Sequence, residues 1–228
     1  MNVQEARSLN AAADETSEQF LLDAGSSLLQ RTANVASVAA AEAEDVDGAA
    51  RFPKAAIDAA RQQKLLGIQI PREFGGYGAS IFDVADICYT LGRACASTAM
   101  IFAMHQTKVA CLVRHGAGSA WHETLMRRVA AGQMLLASST TEGQNGGNIR
   151  FSTAAVEHAG TEISLVRNAT VISYGAQADG IVTIARRAND AAGSDQVLLA
   201  ITRDNYTLEP ALHGRRSACA EPAAPASS

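Results

Sequence analysis

Cysteine is scarce. There are four, Cys88, Cys95, Cys111 and Cys219, and no two form a CxxC pair. That spacing argues against a disulfide framework and a zinc site, and it fits a reducing compartment, so a cytoplasmic location is expected. His115 and His122 lie near a turn and are not spaced to hold a metal on one helix face, so no metal is expected. Positive charge is also in deficit, with 19 Lys and Arg against 23 Asp and Glu and a net charge of −4 at pH 7. A nucleic-acid binder needs surplus cations to displace counterions, so no nucleic-acid partner is expected. No apolar run is long enough to span a bilayer. The nearest, Ala94 to Met104, is broken by Ser97 and Thr98 and ends at His105. Residues 1–20 contain acids and no apolar core, unlike a signal peptide.

What remains is a globular composition. At 47% hydrophobic and 18% charged, the 228 residues suit one large domain or two small ones. The apolar spacing is helical up to about Gly132. Phe20, Leu21, Ala24, Leu28 and Ala39 open a long amphipathic stretch rich in alanine. Phe52 to Leu66 follows, with Pro53 suited to a first turn, Ile57, Ala60 and Leu65 as its buried stripe, and Gly67 as its C-cap. Ile81, Val84, Cys88 and Leu91 share one helix face. Ser97 to His115 is apolar nearly all round and predicts a buried helix. Trp121, Leu125 and Val129 predict a last helix that stops at Gly132.

Beyond Gly132 the period falls toward two and β-branched residues take over. The spacing predicts strands over Met134–Ser139, Ala154–His158, Glu162–Arg167, Thr170–Ser173, Ile181–Ala185 and Val197–Thr202. Ala159-Gly160 reads as a hairpin turn, and Ala188 to Asp195 as a loop. Helices followed by strands imply an α+β fold of two packed units, not an alternating α/β sheet.

Three segments carry a family resemblance. The first is Leu66-Gly67-Ile68-Gln69-Ile70-Pro71-Arg72-Glu73-Phe74-Gly75-Gly76-Tyr77-Gly78, in which Pro71 stops an element and Gly75, Gly76 and Gly78 permit positive φ and close packing. The second is the apolar helix Ser97 to His115, where His105 reads as a hydrogen-bonded histidine without chemistry. The third, and most specific, is Ala131-Gly132-Gln133, a strand, and then Thr140-Thr141-Glu142-Gly143-Gln144-Asn145-Gly146-Gly147-Asn148. It is followed downstream by Val171-Ile172-Ser173-Tyr174-Gly175-Ala176-Gln177-Ala178-Asp179. In order and spacing these resemble the N-terminal and middle domains of the acyl-CoA dehydrogenase family, across about Asp14 to Pro210. The resemblance implies an N-terminal α-helical domain over residues 1–131. An antiparallel, β-barrel-like middle domain over 132–210 follows from it too.

The resemblance also implies FAD, an acyl-CoA substrate, an electron-transfer protein as acceptor and a homo-oligomer. By position, Thr141 is a hydroxyl donor near the flavin ring. Ser138 and Val171 stand where aromatic residues commonly lie, and Ser173 stands where a hydroxyl approaches flavin N5. Gly146 and Gly147 offer bare amides to a pyrophosphate. Such donors matter because reduced flavin gathers negative charge, which oriented dipoles stabilise in a dry site. Four positions depart from the family: Gly143 replaces a proline, Gly147 and Asn148 replace a Ser-Asp pair, and Ala169 replaces a frequent lysine. Glu142 is the one acid of the loop and shows no partner at base-like spacing. No catalytic residue is assigned, because the family's glutamate base belongs to a C-terminal bundle expected to be absent here. The readings this leaves are a truncated FAD-dependent acyl-CoA dehydrogenase, a flavin monooxygenase of the same fold, and a non-catalytic remnant of a frameshifted gene.

Residues 211–228 are rich in Ala, Pro and Ser and read as disordered. One permissible encoding of Arg216 to Ala224, read from the third base, yields Leu-Gly-Met-Arg-Gly-Thr-Cys-Ser. That is similar to a segment family members carry soon after a Leu-x-Pro strand such as Leu208-Glu209-Pro210. Translation out of frame from about Arg216 is therefore expected. Sequencing the locus checks it: the shifted frame should continue into an amphipathic helical domain with a candidate glutamate, and early stop codons would refute it.

Overall fold

The computed structural model describes residues 27–116, 118–143, 148–160 and 162–209. The expectations placed on Phe20 to Ala24, on Gly146 and Gly147, and on the chain after Glu209 lie outside them. Among the described residues there are five α-helices and five short strands.

Helix α1, Leu28–Gly48, starts at Ser27, whose side chain accepts from the Gln30 N–H at 3.2 Å. It buries Thr32, Val35, Ala39 and Val46, a narrow stripe that suits its alanine-rich composition. Helix α2, Lys54–Gln62, begins after Pro53 and buries Ala56, Ile57 and Ala60. Its end corrects the expectation that Gly67 caps it. Lys64 takes the left-handed conformation (φ 51°), with Leu65 N–H donating to Ala60 O and Lys64 N–H to Arg61 O, both at 2.9 Å. That is a six-to-one helix termination on a lysine. Arg31 of α1 holds it by donating to Gln63 O and Lys64 O. Gly67 is needed for a different reason. A Cβ there would come within 2.8 Å of Ala130 Cα, so only glycine lets this turn close on the last helix.

The Gly75–Gly78 turn agrees with its sequence reading, with Gly75 at φ 86° and Gly78 at φ 73°. Helix α3, Ile81–Ala94, is capped by a reciprocal Ser80–Asp83 box. It buries Val84, Ile87 and Leu91, whereas Ile81, expected in that stripe, is exposed. Helix α4, Ala96–His115, is not buried all round as predicted. Thr98, Ile101, Phe102, His105, Gln106, Val109 and Leu112 form one buried face, while Met100 on the other side is exposed. Helix α5, Ala120–Gly132, buries Leu125, Met126, Val129 and Ala130 and leaves Trp121 exposed.

The strands are β1 Leu136–Ser139, β2 Glu157–Ala159, β3 Glu162–Ser164, β4 Gly180–Arg186 and β5 Gln196–Thr202. β2 and β3 form an antiparallel ribbon turned at Gly160, as the sequence predicted. The main sheet has order β1-β4-β5, and it corrects the antiparallel barrel expectation: β1 and β4 run parallel, β4 and β5 antiparallel, and no closed barrel forms among the described residues. A parallel pair requires a long crossover, and residues 140–179 supply it. The stretch Thr170–Ser173, predicted as a strand, belongs to that crossover and leads into a turn over 173–177.

Helices and sheet share their cores across Gly132. One cluster joins Ile57, Leu91 and Phe102 to Leu135, Ala137, Tyr174 and Ile181. Another joins Val109, Leu112 and Val129 to Leu136 and Val182.

Glycine substitutions test this packing. A Cβ at Gly76 would sit 1.9 Å from Ile70 O, whereas Gly48, in helix α1, has nothing within 4 Å. Gly76→Ala should destabilise the chain by about 2 kcal/mol or more. Gly48→Ala should stabilise it by about 0.5–1 kcal/mol through helix propensity. Denaturant melts of both variants check the contrast.

Candidate functional site

The turn Leu65–Gln69 carries backbone groups into the interior, and three buried side chains satisfy them. His105, with no exposed surface, lies with Nε2 2.8 Å from Leu66 O and accepts the Leu136 N–H on Nδ1 at 3.0 Å. Accepting on Nδ1 fixes the proton on Nε2, so the ring is a neutral donor–acceptor bridge from the turn to β1. Gln106 donates to Leu65 O and Leu66 O at 3.0 and 3.1 Å and accepts from Gln69. Gln133 accepts the Leu66 and Gly67 N–H groups at 2.9 and 3.2 Å. His105 is therefore structural, in agreement with its sequence reading. Gln106 and Gln133 are missed by sequence reasoning, because a buried glutamine leaves no periodic signal.

Asp179 forms the second junction. Its Oδ2 takes the Arg61 guanidinium at 2.9 Å and the Leu135 N–H at 2.7 Å, and its backbone exchanges bonds with Leu135 and Arg203. Tyr174 precedes it, buried and at φ 45°, with its hydroxyl donating to Leu136 O at 3.1 Å. The strain of a tyrosine in this region persists because packing and that bond over-determine it. Tyr174 thus ties the 173–177 turn to the start of β1.

At the other end β1 stops at Ser139, and the chain alternates outward and inward. Ser138 is half-buried, 3.4 Å from Thr140 across their hydroxyl oxygens. Thr141 is exposed. Glu142 turns inward and is 5% exposed. A Cβ at Gly143 would lie 3.3 Å from Thr170 Oγ1, so the 141–143 and 170–173 segments adjoin. Ser173 is half-buried and Val171 exposed. The structure thus brings Ser138, Thr141, Val171 and Ser173 onto two neighbouring segments joined by the Gly143–Thr170 contact and the Tyr174–Leu136 bond.

Glu142 is no free acid. Burial pushes its pKa up, but the Thr153 N–H and hydroxyl, the Ser152 hydroxyl and the Ala154 N–H outweigh that and hold it down at about 2. Those donors stand at 2.8, 2.7, 2.8 and 3.3 Å, and Arg167 Nη1 lies 3.0 Å away. The sequence shows no partner because Arg167 arrives from 25 positions downstream (167 − 142). A carboxylate so saturated cannot serve as a general base. Among the described residues no cluster of three His, Cys, Asp or Glu could hold a metal, and no helix is long and apolar enough to cross a membrane.

Residues 28–133 match the model of the acyl-CoA dehydrogenase N-terminal domain. The chain is 31% identical over 114 residues to 3-sulfinopropanoyl-CoA desulfinase of Paraburkholderia xenovorans, covering 49% of this chain and 29% of that protein. It is 30% identical over 147 residues to cyclohex-1-ene-1-carbonyl-CoA dehydrogenase of Geobacter metallireducens, covering 64% and 38%. The fold is similar to FMN-bound TdsC of Paenibacillus sp. A11-2, with TM-score 0.69, 21% identity, and 78% of this chain and 44% of that one covered. The chain therefore spans less than half the length of these relatives.

The bridge makes stability pH-dependent. Burial lowers the His105 pKa from 6.5 to about 4. Between those values the unfolded chain binds a proton that the folded chain refuses, so this contribution is full above pH 6.5 and is lost as pH falls to 4. Roughly 2–4 kcal/mol should disappear across that window. His105→Gln should flatten the difference, as read by denaturant unfolding at stepped pH. Equal slopes in both proteins would remove His105 as the cause.

Proposed function

The chain belongs to the acyl-CoA dehydrogenase family through residues 28–133, and from that premise we propose that it carries the flavin-facing part of an FAD-dependent oxidoreductase acting on an acyl-CoA thioester. The observation that supports this is that segment 170–174 runs beside β1 and the residues after it, touching Gly143 at Thr170 and Leu136 at Tyr174. The residues fit such a group: Thr141 presents an exposed hydroxyl, Ser173 a half-buried one, and Val171 an apolar surface. FAD would supply the hydride acceptor for α,β-dehydrogenation. Thr141 and Ser173 would orient the ring and stabilise charge gathered on it, Ser138 and Val171 would flank it, and Gly146 and Gly147 would offer amides to its phosphates.

His105 and Glu142 are both committed to structural bonds. Neither is therefore assigned the removal of the α-proton. On this reading the helical unit would run to residue 131 and the β unit would begin at 132. The protein would be a cytoplasmic homo-oligomer passing electrons to an acceptor protein.

A flavin monooxygenase of the same fold is the second reading. It is favoured by the likeness to FMN-bound TdsC, which is named a dibenzothiophene monooxygenase, and by the Gly143, Gly147 and Asn148 departures. Only a dehydrogenase would have its flavin bleached by acyl-CoA without oxygen.

Equilibrium titration with FAD and with FMN, followed by flavin fluorescence, tests both readings. Saturable but weak binding is expected. Thr141→Val and Ser173→Ala should each weaken it about three- to tenfold, the worth of one hydrogen bond. Absence of saturable binding with either flavin would sink the reading.

A further inference from the structure

Strand β4 changes neighbour partway along. Up to Thr183 its partner is β1, which ends at Ser139. From Arg186 its partner is the segment around Ala155, with Arg186 N–H donating to Ala154 O at 2.8 Å and Val156 N–H to Arg186 O at 2.9 Å. The gap between these partners falls at Ile184, and Arg167 fills it: its Nη1 donates to Ile184 O and lies 3.0 Å from Glu142 Oε1. Thr183 closes the near side by donating its hydroxyl to Ser139 O. Glu142 closes the far side by gathering Ser152, Thr153 and Ala154.

This ion pair is nine-tenths buried on both sides, with 6% of the Arg167 side chain and 4% of the Glu142 side chain exposed. It is also incomplete. Arg167 Nε and Nη2 are buried and have no hydrogen-bond partner, so one whole edge of the guanidinium is desolvated without return. Apolar residues of similar volume can replace such pairs with no loss of stability. A costly pair at the point where the chain leaves the sheet is therefore better explained by the path it imposes than by the stability it adds. Glu142 faces inward because Arg167, together with Ser152, Thr153 and Ala154, meets it there, and the outward exposure of Thr141 accompanies the inward turn of its neighbour.

We propose that Arg167 is a positioning residue: by clamping Glu142 at the break between β1 and the Ala155 segment, it sets the direction in which Thr141 is offered to flavin. The inference rests on the flavin reading above.

The test uses the full chain and measures melting temperature and flavin dissociation constant together. Arg167→Met alone takes the guanidinium away from a buried carboxylate, so it should lower both stability and affinity. The double variant Arg167→Met with Glu142→Gln removes both charges and should recover most of the melting temperature. It should still bind flavin about tenfold more weakly than wild type, because the clamp is gone. Arg167→Lys keeps the charge and a donor for Ile184 O and Glu142, the only contacts the guanidinium makes through Nη1, so it should melt and bind flavin near wild type. A double variant that binds flavin as tightly as wild type, or a lysine variant that binds it as weakly as the double variant, would overturn the proposal while leaving the flavin reading intact. A wild-type chain that binds no flavin would overturn both.

Discussion

The structure turns on one imidazole. His105 sits on the buried face of α4 and joins two pieces of backbone from distant parts of the chain, Leu66 O and the Leu136 N–H. Without it the buried Leu136 N–H would lose its side-chain partner, at about 1–3 kcal/mol, and Leu66 O would keep only the Gln106 bond. Because the ring must accept on Nδ1 and donate on Nε2, it works only when neutral and only in one tautomer. Gln106 and Gln133 complete the polar seam, and every member has a partner, as a buried network requires.

Fixing the start of β1 fixes much else. Leu135, Leu136 and Ala137 are held by Asp179, His105 and the shared core, so β4 docks parallel beside them and β5 returns antiparallel. The same anchoring places the Tyr174 hydroxyl on Leu136 O and brings the 173–177 turn to one end of the strand. At the other end the chain leaves the sheet through Thr140 and Thr141. The candidate site is thus suspended between a rigid polar seam and a buried ion pair.

Local rules work where a single segment decides its own shape. The glycines after Pro71 and the apolar stripe of α2 agree with their sequence patterns, as do the hairpin at Ala159-Gly160 and the loop before β5. Local rules fail where distant atoms decide. Gly67 resembles a cap, yet Lys64 takes that role because Arg31 reaches across from α1, and Gly67 is kept small by Ala130. Thr170–Ser173 has the β-branched pattern of a strand, but no neighbour strand receives it, and the positive φ of Tyr174 turns the chain away.

Short windows of chain are enough to establish that helices precede strands and where most elements lie, because periodicity and turn chemistry are local properties. The folded chain was needed to show that β1 and β4 run parallel, which backbone groups His105 bridges, and that Glu142 meets Arg167. Strand direction and the partner of a buried charge depend on residues dozens of positions apart, whose approach is set by packing and by the need to satisfy every buried polar group. No local pattern encodes that.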